Sequence, residues 1–144
     1  MPMDEVKALT VVGRLDSLGL ISEFVTRAAQ DAGFDESAVY AVDMAVDEAC
    51  ANIIGHAYGG EGRGDIEISY RIDEDGLTVV LRDHGRAFDP TGVPHPDLDA
   101  PLEERGEGGL GLFLMRRLMD RVEYESRPGS GNILTLVKRH ETTS

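Results

Sequence analysis

Glu48, Asn52 and His56 recur at every fourth position in the stretch Asp43-Met-Ala-Val-Asp-Glu-Ala-Cys-Ala-Asn-Ile-Ile-Gly-His-Ala-Tyr58. On a helix this spacing places the three side chains in one stripe. Val39, Val42, Val46, Ala49 and Ile53 form the apolar face of the same helix. Ala45 and Ala49 adjoin the polar stripe, so it should be only partly open to water. A carboxylate and an amide beside an apolar face are costly to bury without partners. Two readings follow. The stripe is either a solvated face with a helical hydrogen bond, or a metal and phosphate site. In the second, Glu48 is a general base and Asn52 an oxygen ligand for magnesium.

Two further stretches carry chemistry. Asp83-His-Gly85-Arg-Ala-Phe88 closes a strand. An Asp followed two residues on by Gly reads either as a turn or as a base-binding element. In the latter, the carboxylate accepts from an exocyclic amine and Gly85 lets a flat ring approach. Gly106-Glu-Gly108-Gly109-Leu-Gly111 matches the spacing of a dinucleotide fingerprint. That fingerprint must follow a buried strand directly, and here a proline-rich acidic segment precedes it. What survives is a glycine-rich segment opening a helix, whose free N–H groups and dipole suit phosphate. A flexible hinge is the alternative. The only lysines, Lys7 and Lys138, lie outside these motifs, which excludes a P-loop or a protein-kinase-type lysine site.

The surrounding pattern supplies the elements that hold these residues. Val6 to Val12 reads as a strand. A helix capped by Asp16 or Ser17 carries Leu20, Ile21, Phe24, Val25 and Ala28, and Gly33 ends it. Its Leu and Phe residues suit a dimer surface as well as a core. The central helix starts at Asp35 or Ser37 and runs to about His56, before the break Gly59-Gly-Glu-Gly62. Ile66, Ile68, Tyr70 and Ile72 alternate with polar residues, as do Leu77, Val79 and Leu81 after a turn at Glu74-Asp-Gly76. This is a hairpin with one covered face. Residues 89–108 hold four prolines and no apolar period, the pattern of a lid or binding loop. A third helix carries Leu110, Phe113, Leu114, Leu118 and Met119. Val122 to Ser126 and Ile133 to Val137 form a second strand pair around Pro128-Gly-Ser-Gly131, and a polar tail follows His140. The order predicts one α+β domain over 1–144: a two-layer sandwich with a mixed, mostly antiparallel sheet covered on one face by about three helices.

Composition bounds the function. The chain has 144 residues, 41% hydrophobic and 28% charged, enough for a single buried core. Its formal charge of −13 argues against nucleic acid as a direct ligand. No apolar run approaches the ~20 residues of a membrane span, and no export signal is evident. Cys50 is the single cysteine, so no intrachain disulfide forms. A cytoplasmic location is expected.

The three stretches together resemble the N, G1 and G2 boxes of the Bergerat-fold ATPases, which include gyrase, heat-shock protein 90, histidine kinases and MutL. Within that superfamily the chain is most similar to the anti-sigma-factor serine/threonine kinases. Asp47-Glu-Ala-Cys-Ala-Asn52, His56-Ala-Tyr58, Asp83-His-Gly-Arg-Ala-Phe-Asp89 and Gly109-Leu-Gly-Leu-Phe-Leu-Met-Arg-Arg-Leu-Met-Asp120 carry the resemblance, over roughly residues 6–139. It implies ATP and Mg2+ as cofactors, with Glu48 as base and Asn52 as metal ligand. Asp83 would hold the adenine amine, with Gly85 and Phe88 at the base pocket. Gly109, Leu110, Gly111 and Leu112 would lie along the phosphates. Arg105 stands where the family places an arginine that reaches the terminal phosphate, but Gly106 and Glu107 intervene. The implied partners are a sigma factor and a small antagonist protein, phosphorylated on Ser or Thr, with neither nucleic acid nor membrane contacted directly. The rival is a non-catalytic, ATP-gated binding module. A histidine-kinase catalytic domain is disfavoured, since no phospho-accepting histidine helix is expected upstream of Val6 or downstream of His140.

Overall fold

The computed structural model describes residues 6–87, 115–127 and 129–141. Five strands form one sheet in the order β1-β2-β3-β5-β4. They are β1 (Val6–Val12), β2 (Asp65–Ile72), β3 (Gly76–Asp83), β4 (Arg121–Arg127) and β5 (Gly131–Arg139). Every described ladder is antiparallel, where the sequence suggested a mixed sheet. Helices α1 (Leu18–Asp31) and α2 (Glu36–Asn52) lie between β1 and β2 in the chain. They pack with a short helical turn at residues 115–118 into the buried cluster formed by one face of the sheet. This is the expected two-layer α+β sandwich.

Alternation and register together build the core. Leu9, Ile68, Leu81, Leu134 and Tyr124 stand opposite one another across all five strands. Ile68, Leu81 and Leu134 are buried. A second row joins Tyr70, Val79, Leu136 and Val122. Because side chains alternate along a strand, these rows share the face turned to the helices. Ile21, Val25, Ala28 and Ala29 of α1 and Val42, Ala45, Val46, Ala49 and Cys50 of α2 cover them. Phe24 meets Tyr70 edge-on, with ring centroids 5.0 Å apart.

Several local expectations are corrected. A 3-10 turn at Leu15–Ser17 precedes α1, and Ser17 makes no capping bond. Leu20 is 57% exposed, not core; it lies one position before Ile21, and the buried stripe runs through Ile21, Val25 and Ala28. Asp35, not Ser37, caps α2, its Oδ1 accepting the Ala38 N–H at 2.9 Å. Gly33 ends α1 with φ +91°, as expected of a left-handed cap. The hairpin turn lies one residue earlier than predicted. Asp73 Oδ1 accepts the N–H groups of Asp75 and Gly76, so Gly76 already belongs to β3. Met115 and Met119 are buried at 0% and 5% exposure, with Leu118 packed beside them. Leu110, Phe113 and Leu114 of the predicted third helix lie outside the described residues, as does the predicted lid at 89–108.

Candidate functional site

Helix α2 is held at its start and at its middle. Asp35 caps its start, and Ser22 of α1 donates to Asp43 Oδ1 at 2.7 Å. The chain was expected to stay α-helical to His56. It instead passes after Asn52 into a π turn, Ile53–Ala57, in which the Tyr58 N–H donates to the Ile53 carbonyl at 2.9 Å. Single π turns concentrate at functional sites. The wider turn moves His56 round from the line of Glu48 and Asn52. The His56 carbonyl accepts from Arg86 Nη2 at 3.2 Å.

The end of β3 docks on this turn. The Arg86 N–H donates to the Ala57 carbonyl at 2.7 Å. A Cβ added at Gly85 would stand 2.5 Å from the Ala57 oxygen and 2.9 Å from the Ala57 Cβ. The space a side chain would need is therefore filled by Ala57. The sequence reading gave that space to a ligand ring; the structure uses it to join the strand end to the helix end. Gly85→Ala is expected to lower stability by about 1–3 kcal/mol, the usual cost of overpacking. A thermal melt should show a drop of a few to about ten degrees. An unchanged melting temperature would mean the two backbones separate without cost.

Asp83 is 5% exposed. It stands on the helix-facing side of β3, two residues beyond Leu81. Register puts Asn132 of β5 opposite it, and Ser126 of β4 opposite Asn132. The apolar rows of the inner face thus give way to a polar row at the sheet's end. Asp83 Oδ1 accepts the Gly85 N–H at 2.9 Å and Asn132 Nδ2 at 2.8 Å. Its Oδ2 has no hydrogen-bond partner among the described residues.

Asn52 and Asp83 meet in one small slot. Its walls are Ala49, Ile53, Ala57 and Leu134, its rim includes Tyr124, and its polar groups are Asn52, Asp83 and Asn132. The enclosed space is about 20 Å³, room for about one water molecule. Asn52 Nδ2 is buried with no partner. A buried amide N–H left unpaired costs about 1–3 kcal/mol, so its persistence beside an open carboxylate oxygen marks a place for a polar ligand.

These groups suit ATP with a divalent ion. The carboxylate of Asp83 can accept from a base amine. Asn52 offers a donor for a phosphate oxygen and a carbonyl for a cation. No cluster of three or more His, Cys, Asp or Glu side chains that could hold a metal occurs among the described residues. Magnesium commonly takes few protein ligands and completes its shell with phosphate and water, so a single amide fits it. Glu48 lies one helical turn before Asn52 and is partly buried. Burial raises its pKa above the ordinary value, and the charge of Asp47 raises it further. Phe88, Arg105, Gly109, Leu110, Gly111 and Leu112 lie outside the described residues.

Sequence reasoning missed three residues here. Asn132 follows a glycine at a strand start, where Asn ordinarily signals a turn. Ser126 is a lone polar residue in a charged strand. Tyr58 stood in a quoted motif without a role. Its hydroxyl donates to the Asp65 carbonyl at 2.6 Å and accepts the His84 N–H at 2.9 Å. It thereby ties the start of β2 to the residue after Asp83.

The profile of the histidine kinase-like ATPase domain matches residues 11–138. The chain is 33% identical over 138 residues to the serine-protein kinase RsbW of Halalkalibacterium halodurans, covering 93% of this chain and 83% of that protein. It is 37% identical over 123 residues to RsbW of Listeria monocytogenes, covering 83% and 77%. For RsbW of Bacillus subtilis the identity is 31% over 126 residues, covering 84% and 78%. The crystal structure of the RsbU and RsbW domains of a Mycobacterium tuberculosis protein shares the fold, with a TM-score of 0.65 at 16% identity. That match covers 94% of this chain and 32% of the longer one. The chain belongs to the histidine kinase-like ATPase family, in its branch of RsbW-type serine-protein kinases.

Proposed function

We propose that this chain is an ATP-dependent serine/threonine protein kinase acting as an anti-sigma factor. It phosphorylates a small antagonist protein and sequesters a sigma factor, in the cytoplasm. The observation that carries the ATP site is the pairing, in one slot, of the unpartnered Asn52 amide with the open oxygen of Asp83. The relatives' name as serine-protein kinases supports the reaction. No helix among the described residues is long and apolar enough to cross a membrane.

Asp83 and the slot hold the amine edge of adenine. Asn52 holds the divalent ion together with the phosphates. Bound ATP would supply the phosphoryl group, and a divalent ion held at Asn52 would offset the charge on the phosphates. Glu48, one helical turn before Asn52, takes the proton from the incoming hydroxyl. Glu48 lies within the helix rather than at a mobile tip, so the base and the ion-holding amide keep a fixed separation of one turn.

Incubation with labelled ATP, magnesium and each antagonist-type domain of the source genome tests this. Label on a Ser or Thr of one of them is the expected result. ATP binding with no label on any of them would reduce the chain to an ATP-gated binding module. Absence of ATP binding would overturn the site itself.

A further inference from the structure

We propose that the groove between α1 and α2, on the side of the helical layer away from the sheet, is a docking surface for a basic amphipathic helix of a protein partner. It stands apart from the ATP slot and does not depend on phosphoryl transfer.

The charge of the chain is divided unevenly between its two layers. Helices α1 and α2 carry six acidic residues and one basic residue, Arg27. The five strands carry seven basic residues and five acidic ones. The ion pairs seen between described residues all lie in the sheet or its turn. The helical layer takes part in none of them, and its negative charge faces outward.

The groove has a volume of about 520 Å³, and none of the residues that line it is basic. Thr26 and Gln30 form its α1 side, Val39 and Tyr40 its α2 side, and Phe34 comes from the turn between the helices. Tyr40 is 63% exposed. A lone exposed aromatic is ordinary. Here Phe34 and Val39 lie half-buried in the same groove. Glu36 and Asp43, four residues before and three after Tyr40, place a carboxylate on either side of the ring. An aromatic centre with a charged rim is the anatomy of an interface.

The acids are left in mutual repulsion. Asp43 Oδ1 accepts from Ser22 across the helices, a neutral donor that does not cancel its charge. Asp47 follows one turn later, and its carboxyl is held above the ordinary value by desolvation and then by the charge of Asp43. Like charges at this spacing destabilise a helix, and a cation in the groove relieves them. An arginine over the open face of Tyr40 gains a cation–π contact. Apolar side chains at i, i+4 and i+7 of a docked helix cover Phe34, Val39 and the Tyr40 ring. Nucleic acid is repelled by this charge. A second copy would have to bring its sheet face, whose charges already pair with one another.

The test uses the full chain and a synthetic helical peptide with leucines along one face and arginines flanking them. One control peptide has glutamate in place of each arginine. The other keeps the arginines and has serine in place of each leucine. Wild type is expected to bind the arginine–leucine peptide at least about tenfold more tightly than either control. Tyr40→Ala should weaken that peptide by about tenfold to thirtyfold, the loss of an interface anchor. Glu36→Gln combined with Asp43→Asn should weaken it by about threefold to tenfold and flatten its salt dependence. Equal binding of the two arginine peptides, or no effect of Tyr40→Ala, would mean attraction to net charge alone and overturns the proposal. Amide chemical shifts of wild type give a readout that needs no variant. Changes confined to residues 22–43 are expected. Changes centred on Asn52 and Asp83, or spread over the sheet, overturn the proposal. Sedimentation tests the remaining occupant. Self-association of wild type that is lost in Tyr40→Ala would assign the face to a second copy and overturn it as well.

Discussion

Glu48→Gln should bind ATP nearly as wild type does and transfer phosphate about 10²–10⁴-fold more slowly, the usual contribution of a positioned general base. The amide keeps the volume and helix propensity of the acid, so binding has no reason to change. Only proton acceptance is lost. The pH profile gives a second readout. Burial, then the Asp47 charge, raises the Glu48 pKa above its ordinary value of 4.5. A base works only when ionised, so the acid limb of the transfer rate should lie above that value. Asp47→Asn removes the second cause and should move the limb down. The sign for stability is the reverse of an ion-paired carboxylate. A folded pKa above the unfolded one means the ionised form costs stability above it, and the cost is relieved as pH falls through it. Through this group acid should therefore slow the reaction while relieving a cost on the fold rather than adding one. Single-turnover transfer measured against pH checks all of this. Wild-type rates in Glu48→Gln would make Glu48 a structural residue.

Asp83→Asn should weaken ATP binding and narrow or invert the preference over GTP. As a carboxylate, Asp83 only accepts. Adenine presents an amine at its six position, and guanine a carbonyl. Facing two acceptors in a buried slot costs about 1–3 kcal/mol, and more for a charged group. That is roughly a tenfold to hundredfold preference for ATP, since about 1.4 kcal/mol is a factor of ten. In Asp83→Asn the Gly85 N–H and Asn132 Nδ2 still need an acceptor. They hold the new amide's oxygen in the Oδ1 position, and its NH2 then takes the place of Oδ2. A donor now meets the base, which suits a ring carbonyl. Calorimetric titration of both nucleotides measures the change. Equal ATP and GTP affinities in wild type would reduce Asp83-x-Gly85 to an ordinary turn.

Much of the architecture follows from local pattern alone. Period-2 alternation in Ile66–Ile72 and Leu77–Leu81 specifies a strand with one buried face, whatever lies beside it. Of the buried residues of α2, helical spacing picks out Val42, Val46 and Ala49; Ala41, Ala45 and Cys50 are buried beside them, and Val39 is half-buried. Gly33 and Asp35 mark helix ends through backbone conformation and a single side-chain bond. The Glu48–Asn52 pair is legible too, because both residues lie on one helix with a fixed rise. Leu20 was misplaced because spacing shows that a residue lies near a stripe, not how far that stripe turns toward the sheet.

What only the tertiary structure decided is the polar row and the junction beside it. Asp83 and Asn132 are 49 positions apart, and nothing near either residue names the other. Their pairing comes from the β3–β5 register, which the burial of Leu81, Val79, Leu134 and Leu136 imposes across the ladder. The π turn at Ile53–Ala57 is likewise set from outside the helix. The backbone of Gly85 and Arg86 fills the space beside Ala57 and bonds its carbonyl. Local propensity specifies which residues face inward. Which inward residues meet depends on packing between segments distant in the chain, and the one-sided geometry of Asp83 is a product of that packing.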